Sequence, residues 1–238
     1  MSNSRAEPVE QLPVYVWEAP VRLWHWVMAL AMTVLAVTGY FIGAPTPTTP
    51  GEAGDNFLFG YIRFLHFAAG YVFAIFFVLR LYWAVVGNKF AREVFLVPLS
   101  MLRPSFWGGM FDQLMEYAFI GHGRRYNGHN PLAAVSMFFM YVLGTVFMIV
   151  TGFALYGEGT GMGSWAYLLF SSWVIPLFGQ SQDVHTWHHL CMWYLLLFAF
   201  IHIYIVVRQD IVGRESIIGT MINGWRVEKP NSWRVEKR

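Results

Sequence analysis

Four long apolar runs dominate the chain, and charged residues interrupt them only rarely. They cover residues 23–43, 64–86, 131–156 and 185–207. Each is close to or above the roughly 20 residues that an α-helix needs to cross about 30 Å of hydrocarbon. The pattern predicts an all-α membrane protein, a bundle of four transmembrane helices.

A fifth apolar segment, residues 163–179, is shorter and contains Pro176. The placement of basic residues decides its role. With four spans and the N-terminus inside, all but one of the 16 Lys and Arg fall on or beside the inner face, and the exception is Arg63. A fifth span would move the basic C-terminal residues outside. We therefore predict that both termini lie inside and that residues 163–179 form an interfacial or re-entrant helix.

Composition agrees with this assignment, since 56% of the 238 residues are hydrophobic and only 13% are charged, against about 25% in soluble domains. We predict one domain over residues 1–238, with a cytoplasmic tail at 208–238. In the inner loop, residues 106–120 predict an amphipathic surface helix. The net charge of +2, spread over the inner face, is explained by membrane topology and by contact with membrane lipids. It does not indicate binding to nucleic acid.

Histidines within the spans are the candidate chemistry, because polar ligands in hydrocarbon are costly and imidazole is an axial ligand of haem iron. His188 and His202 are 14 residues apart, so they share a helix face within roughly 40° and differ in depth by about 21 Å. Matching depth pairs His66 with His188 near the outer leaflet and His25 with His202 near the inner one. The spacing predicts two b-type haems with bis-histidine ligation.

Other polar residues fit iron ligation less well than these four. By helical angle His189 faces away from His202, while His185 suits a haem propionate or the membrane surface. His122 and His129 lie in the inner loop, where solvent or lipid headgroups are the ordinary environment. Arg80, 14 residues after His66, either pairs with a propionate of the inner haem or extends to the membrane surface as a helix-end arginine.

A single cysteine, Cys191, limits the chemistry further. It excludes disulfides within the chain, Cys-ligated clusters and the two thiols that attach c-type haem. Any haem is therefore held non-covalently. Two rival functions fit less well: a His-lined metal transporter lacks carboxylates in the span cores, and a haem-free membrane anchor leaves the buried histidines unexplained.

An internal repeat relates the two halves of the chain. Val37-Thr38-Gly39-Tyr40 in the first span recurs as Val150-Thr151-Gly152-Phe153 in the third, and aligning His66 with His188 places Arg80 on His202. Two related helical hairpins would produce this pattern, and chance similarity between apolar segments is the alternative. The tail also repeats WRVEK, at residues 225–229 and 233–237, and no function is assigned to that repeat.

Several stretches together resemble one family. They are residues 18–26 (EAPVRLWHW), 60–67 (GYIRFLHF), 128–131 (GHNP), 151–156 (TGFALY) and 183–190 (DVHTWHHL). They are similar to the b-type cytochrome subunit of membrane-bound uptake [NiFe] hydrogenases, over nearly the whole chain. That family resembles in fold the four-helix, dihaem cytochrome subunit of respiratory formate dehydrogenase. The family's ligand histidines fall on His25, His66, His188 and His202.

The resemblance implies partners and a direction of electron flow. Hydrogen is oxidised by separate large and small subunits on the periplasmic side of the bacterial inner membrane. The small subunit's iron–sulfur chain then passes electrons to the outer haem, and the inner haem reduces quinone. One cysteine cannot supply the thiolates of a Ni–Fe centre, so this chain is expected to be the quinone-reducing, electron-transfer subunit. Several such complexes can also assemble into a larger unit. The alternative partner is a formate dehydrogenase or a related periplasmic oxidoreductase.

This direction of flow predicts where quinone binds. Electrons that enter at the outer haem leave from the inner one, so the quinone pocket is expected among the inner helix ends. The polar candidates there are Arg22, Arg80, His129 and Asn130, each able to hydrogen-bond a quinone carbonyl. For each of them, contact with lipid headgroups is the alternative.

Overall fold

The computed structural model describes residues 13–47, 56–120, 126–213 and 216–226. His122 and the second WRVEK copy lie outside these ranges. So do eight of the basic residues counted in the topology argument: Arg5, Arg124, Arg125, Arg214, Lys229, Arg234, Lys237 and Arg238.

Nine helices and two short strands make up the described part of the chain. The helices are α1 (Ala19–Gly43), α2 (Leu58–Val86), α3 (Lys89–Arg92), α4 (Val97–Ser100), α5 (Pro104–Tyr117), α6 (Pro131–Thr160), α7 (Tyr167–Phe178), α8 (Ser181–Ile211) and α9 (Ile217–Asn223). The strands are β1 (Val14–Tyr15) and β2 (Trp225–Arg226). Two helices contain a π-helical turn, Met137–Val142 within α6 and Tyr167–Ser171 at the start of α7.

Four helices, α1, α2, α6 and α8, are long and apolar enough to cross a membrane, which confirms the four predicted spans. All four extend beyond the predicted limits at one end or both. The apolar runs were ended at charged or polar residues such as Arg22 and Arg63, but the backbone hydrogen bonding continues past them. Large apolar side chains such as Val85 and Phe200 are exposed on the outside of the bundle, where lipid is the fitting surrounding.

The fifth apolar segment forms α7, whose 12 residues span only about 18 Å and cannot cross a bilayer. It packs against α6 and α8 through Ala154, Val174 and Val184, which are fully buried. Ser171 donates a hydrogen bond from its hydroxyl to the backbone oxygen of Ala154 at 2.6 Å. α7 is thus a short helix held against one end of the bundle, and its interfacial or re-entrant placement in the membrane stays a prediction.

Residues from both ends of the chain meet at the opposite end of the bundle. β1 pairs antiparallel with β2, with Val14 opposite Arg226 and Tyr15 opposite Trp225. The first WRVEK copy therefore begins as a strand. Further basic residues lie at helix ends or in loops on this side, namely Arg22, Lys89, Arg92, Arg103 and Arg208. We call it the basic end, and the end that holds α7 and Arg63 the far end.

The bundle consists of two helical hairpins, α1 with α2 and α6 with α8. Between them, toward the basic end, lies the main apolar core, which includes Met28, Phe73, Phe77, Tyr141 and Phe198. At the basic end the Glu18 carboxylate accepts hydrogen bonds at 2.9 Å from the Trp83 indole and the Asn88 backbone N–H. These bonds fix the start of α1 against the end of α2.

Candidate functional site

A large cavity opens between the two hairpins at the far end, with a volume of about 890 Å³. His66 from α2 and His188 from α8 both line it. Its walls also include Gly39, Gly70 and Gly152, one from each of α1, α2 and α6. This volume lies within the range of about 300–1,000 Å³ typical of ligand and cofactor cavities. We call this the His66 site.

Each histidine of the His66 site is hydrogen-bonded to a threonine of the neighbouring helix in its own hairpin. The Thr38 hydroxyl lies 2.9 Å from Nδ1 of His66, and the Thr151 hydroxyl lies 2.8 Å from Nδ1 of His188. Nδ1 of each ring is thus already paired with protein. Nε2 is the nitrogen left to bind a ligand.

Glycine next to each threonine lets the imidazole approach the helix backbone. A Cβ added to Gly39 would lie 3.1 Å from Cε1 of His66, and one added to Gly152 would lie 3.3 Å from Cε1 of His188. Both separations are shorter than the ordinary 3.5–4.0 Å contact between carbon atoms. The two Val-Thr-Gly stretches noted in the sequence therefore occupy equivalent positions in the two hairpins.

A second pair of histidines lies toward the basic end, His25 on α1 and His202 on α8. Their ring centres are 6.3 Å apart with the rings tilted by 50°. A metal–imidazole bond is about 2.0–2.1 Å and the ring centre is about 1.1 Å from its nitrogen, so two axial imidazoles on one metal are separated by about 6 Å. The separation suits two ligands of one iron. We call this the His25 site.

Arg80 lies beside the His25 site and is 5% exposed. Its guanidinium lies over the rings of Trp24 and Phe95, at 5.3 and 5.0 Å from their centres. Nη2 donates to the backbone oxygen of Ala91 at 2.5 Å. Nε and Nη1 are buried and have no hydrogen-bond partner within the described ranges. A buried guanidinium with free N–H groups is suited to binding an anionic group.

The remaining predicted polar residues at the basic end make mostly structural contacts. His129 borders the His25 site, and its ring lies 5.0 Å from that of Trp17. Asn130 caps α6 by accepting a hydrogen bond from the Ala133 backbone N–H at 2.7 Å, and its amide donates to the Tyr117 hydroxyl at 3.1 Å. A side-chain nitrogen of Arg22 donates to the backbone oxygen of Ile222.

His185 and His189 both border the rim of the His66 site, and for His189 this differs from the direction expected from the helical angle. The His189 ring lies over Gly43 of α1, where an added Cβ would be 3.1 Å from Nδ1, and Nε2 of the same ring accepts a hydrogen bond from Trp193 at 3.1 Å. His185 Nδ1 lies 3.0 Å from the backbone oxygen of Ser181. The angle was relative to His202, which belongs to the other site, whereas the cavity at His66 borders several faces of α8, including His185, His188 and His189.

Comparison with known proteins agrees with this arrangement. Residues 16–224 match the family model described as prokaryotic cytochrome b561. A protein of Azotobacter chroococcum is 62% identical over 92% of this chain and 91% of its own length, and one of Cupriavidus necator is 57% identical over 90% and 87%. Both are named probable Ni/Fe-hydrogenase B-type cytochrome subunit. A protein of Escherichia coli K12, named probable Ni/Fe-hydrogenase 1 B-type cytochrome subunit, is 46% identical over 90% and 91%.

The chain is thus a multi-pass b-type cytochrome, and it belongs to the prokaryotic cytochrome b561 family. Its resemblance to the b-type cytochrome subunits of [NiFe] hydrogenases is confirmed by these relatives. The family implies b-type haem, a non-covalent cofactor.

The two sites fit haem to different degrees. At the His66 site the cavity volume, the two imidazoles and the glycine-lined walls suit a flat macrocycle. At the His25 site the ring separation and the unpaired Arg80 N–H groups suit a ligated iron and an anionic propionate, but the cavity measures only about 60 Å³. A haem there requires the surrounding aromatic side chains, among them Phe77 and Tyr141, to move apart.

Sequence reasoning missed the most specific contacts of the His66 site, those of Thr38 and Thr151. Their signal was present, because both residues belong to the repeated Val-Thr-Gly stretch. The stretch was noted only as evidence for duplicated hairpins, since one sequence does not show which residues face each other across neighbouring helices. The π-helical turn Met137–Val142, which supplies three residues to the His25 site, has no sequence signal comparable to a cap or a proline.

Proposed function

We propose that this chain is the membrane subunit of a [NiFe] hydrogenase. It anchors the hydrogenase small and large subunits at the periplasmic face of the bacterial inner membrane and carries their electrons to membrane quinone. Two haems b, one bound by His66 and His188 and the other by His25 and His202, supply the one-electron chemistry. The observation that carries the proposal is the pair of histidine sites near opposite ends of a four-helix bundle, in a chain whose relatives bear hydrogenase names.

The bundle holds the two sites at a fixed separation. His188 and His202 are on the same continuous helix, 14 residues apart, which corresponds to about 21 Å along the axis. Because α8 supplies one ligand to each site, the two sites cannot move apart without breaking that helix. The apolar core with Phe73, Phe77 and Phe198 fills part of the space between the hairpins.

The distribution of positive charge supports the orientation. The described basic residues concentrate at the end where β1 and β2 pair, which supports assigning that end to the cytoplasm. The His66 site then faces the periplasm and receives electrons from the hydrogenase small subunit. The His25 site is the exit, where Arg80 provides unpaired N–H groups for a haem propionate.

Quinone is proposed to bind near the His25 site at the cytoplasmic side. His129 and Arg22 are the candidates to hydrogen-bond a quinone carbonyl. His129 borders the site, and its buried Nδ1 makes no hydrogen bond to a described residue but lies 3.7 Å from a carboxylate oxygen of Glu93. Asn130 is the weaker candidate, because its side chain already caps α6 and contacts Tyr117.

Sealed vesicles that contain the whole hydrogenase complex test this arrangement. Quinone reduction at the cytoplasmic face takes up protons there, while hydrogen oxidation releases protons on the other side. Hydrogen-driven quinone reduction should therefore generate a membrane potential, measured with a voltage-sensitive dye and abolished by an uncoupler. Turnover without a potential would place quinone on the periplasmic side and contradict the orientation.

The identity of the co-purifying subunits separates this proposal from the formate dehydrogenase alternative. Affinity purification of the chain from its native membranes should retain a Ni- and Fe-containing large subunit. A molybdenum- or tungsten-containing partner instead would identify a formate dehydrogenase or related enzyme.

A further inference from the structure

Two threonines occupy equivalent positions beside the two histidines of the His66 site. Thr38 is 6% exposed and Thr151 is 1% exposed, and both lie one residue before a glycine that the imidazole contacts. The hydroxyl-to-Nδ1 distances, 2.9 and 2.8 Å, are nearly the same in the two hairpins. The same arrangement of threonine, glycine and histidine thus occurs twice, once between α1 and α2 and once between α6 and α8.

The direction of these hydrogen bonds follows from where the hydroxyl hydrogens go. Thr38 donates its hydrogen to the Val34 backbone oxygen at 2.6 Å, and Thr151 donates to the Phe147 backbone oxygen at 2.7 Å. A hydroxyl has one hydrogen to donate and two lone pairs to accept. Once that hydrogen is committed to the helix carbonyl, the hydroxyl oxygen can only accept from the imidazole.

The accepted hydrogen bond decides which tautomer each histidine adopts. Nδ1 of His66 and of His188 must carry the proton, so Nε2 has a free lone pair. A metal-bound imidazole commonly donates its other N–H to a neighbouring acceptor, which orients the ring and raises its basicity. Because the adjacent Gly39 and Gly152 have no Cβ, the imidazole rings can lie close against the helix backbones.

We propose that Thr38 and Thr151 are positioning residues that lock His66 and His188 in the Nδ1-protonated tautomer, with Nε2 presented to iron. The inference rests on the proposed haem role of the His66 site and adds two residues to it. The His25 site lacks this arrangement, because Nδ1 of His25 is buried with no hydrogen-bond partner in the described part of the chain. Loss of the threonine hydroxyls should therefore affect one haem and spare the other.

The test compares Thr38→Val, Thr151→Val and their double variant with the matching serine variants. Valine keeps the branched shape and removes the acceptor, while serine keeps the hydroxyl. Thr33→Val is the control, because Thr33 lies on the same helix and donates to the Ala29 backbone oxygen at 2.8 Å in the same way but is exposed. All proteins are purified as the full hydrogenase complex.

Three readouts follow the haem directly without relying on activity. They are the rate of haem transfer to excess apo-myoglobin, carbon monoxide binding to the reduced protein, and the midpoint potentials of the two haems. In the double valine variant, one of the two haems should be transferred to apo-myoglobin at least about 10-fold faster. Mutation of the hydrogen-bond partner of a metal ligand typically has an effect of this size on metal affinity. The potential of that haem should rise, because a less basic imidazole stabilises the oxidised iron less. Carbon monoxide should bind to that haem only.

Serine variants and Thr33→Val should match the wild type in all three readouts. The inference is overturned if the double valine variant keeps wild-type transfer rate, potential and resistance to carbon monoxide, or if both haems change equally. A His66→Ala complex that keeps both haems would instead overturn the proposed function together with this inference.

Discussion

Replacing Gly39 with alanine should displace His66 and weaken haem binding at the His66 site. The added Cβ would lie 3.1 Å from Cε1 and 3.7 Å from Nδ1 of His66. Relief to an ordinary contact of about 3.5–4.0 Å moves the ring by roughly 0.4–0.9 Å, comparable to the 0.5 Å tolerance of a well-held site. The same movement stretches the 2.9 Å bond to Thr38. Overpacking of this kind costs about 1–3 kcal/mol, which corresponds to roughly 5- to 150-fold weaker binding.

Gly159→Ala is the control for this variant. Gly159 lies in α6 outside the lining of the cavity, and its added Cβ would meet no atom within 4 Å. The assay is haem content per chain after purification, together with the rate of haem transfer to apo-myoglobin. Gly39→Ala should lose haem faster and Gly159→Ala should not. Equal behaviour of the two variants would refute the argument that close approach of His66 to α1 is required.

Five further substitutions, at four residues, test the assignment of the two sites. His188→Ala should remove one haem and stop hydrogen-dependent quinone reduction, while hydrogen oxidation with a soluble artificial acceptor continues; two haems in that variant would exclude His188 as a ligand. His185→Ala and His189→Ala should both keep two haems, and loss of haem from His189→Ala but not from His188→Ala would reverse the assignment. Arg80→Leu should speed haem loss from the His25 site by about 10- to 150-fold, which corresponds to the loss of a charge-assisted hydrogen bond of about 1.5–3 kcal/mol. Arg80→Lys should have an intermediate rate of haem loss. An unchanged rate in Arg80→Leu would argue against propionate binding by Arg80.

Much of the fold could be predicted from the sequence, because hydrocarbon imposes a simple rule on length and polarity. Runs of about 20 apolar residues identified the four spans. The placement of basic residues, together with Pro176 and the short length of the segment, predicted that residues 163–179 do not cross the membrane. The helix ends were less accurate. Side chains such as Arg63 end an apolar run without ending the helix, since backbone hydrogen bonds continue into the polar interface.

The candidate site was predictable to the level of depth and helix face. A spacing of 14 residues places His188 and His202 on one side of α8, and chain direction gives the depth of His25 and His66. Contacts between helices depend on their rotation and separation, which periodicity does not define. The bonds from Thr38 and Thr151 therefore became visible only in the structure, and so did the approach of His189 to Gly43.

The number of haems per chain tests the account most directly. The purified complex is denatured in alkaline pyridine, and the reduced haem spectrum is compared with the amount of chain determined by amino-acid analysis. Two haems b per chain are expected, falling to one in His66→Ala and to one in His202→Ala, with a different midpoint potential remaining in each. A wild-type chain with one haem or none, or a His202→Ala variant that keeps both, would contradict the assignment of one haem to each histidine pair.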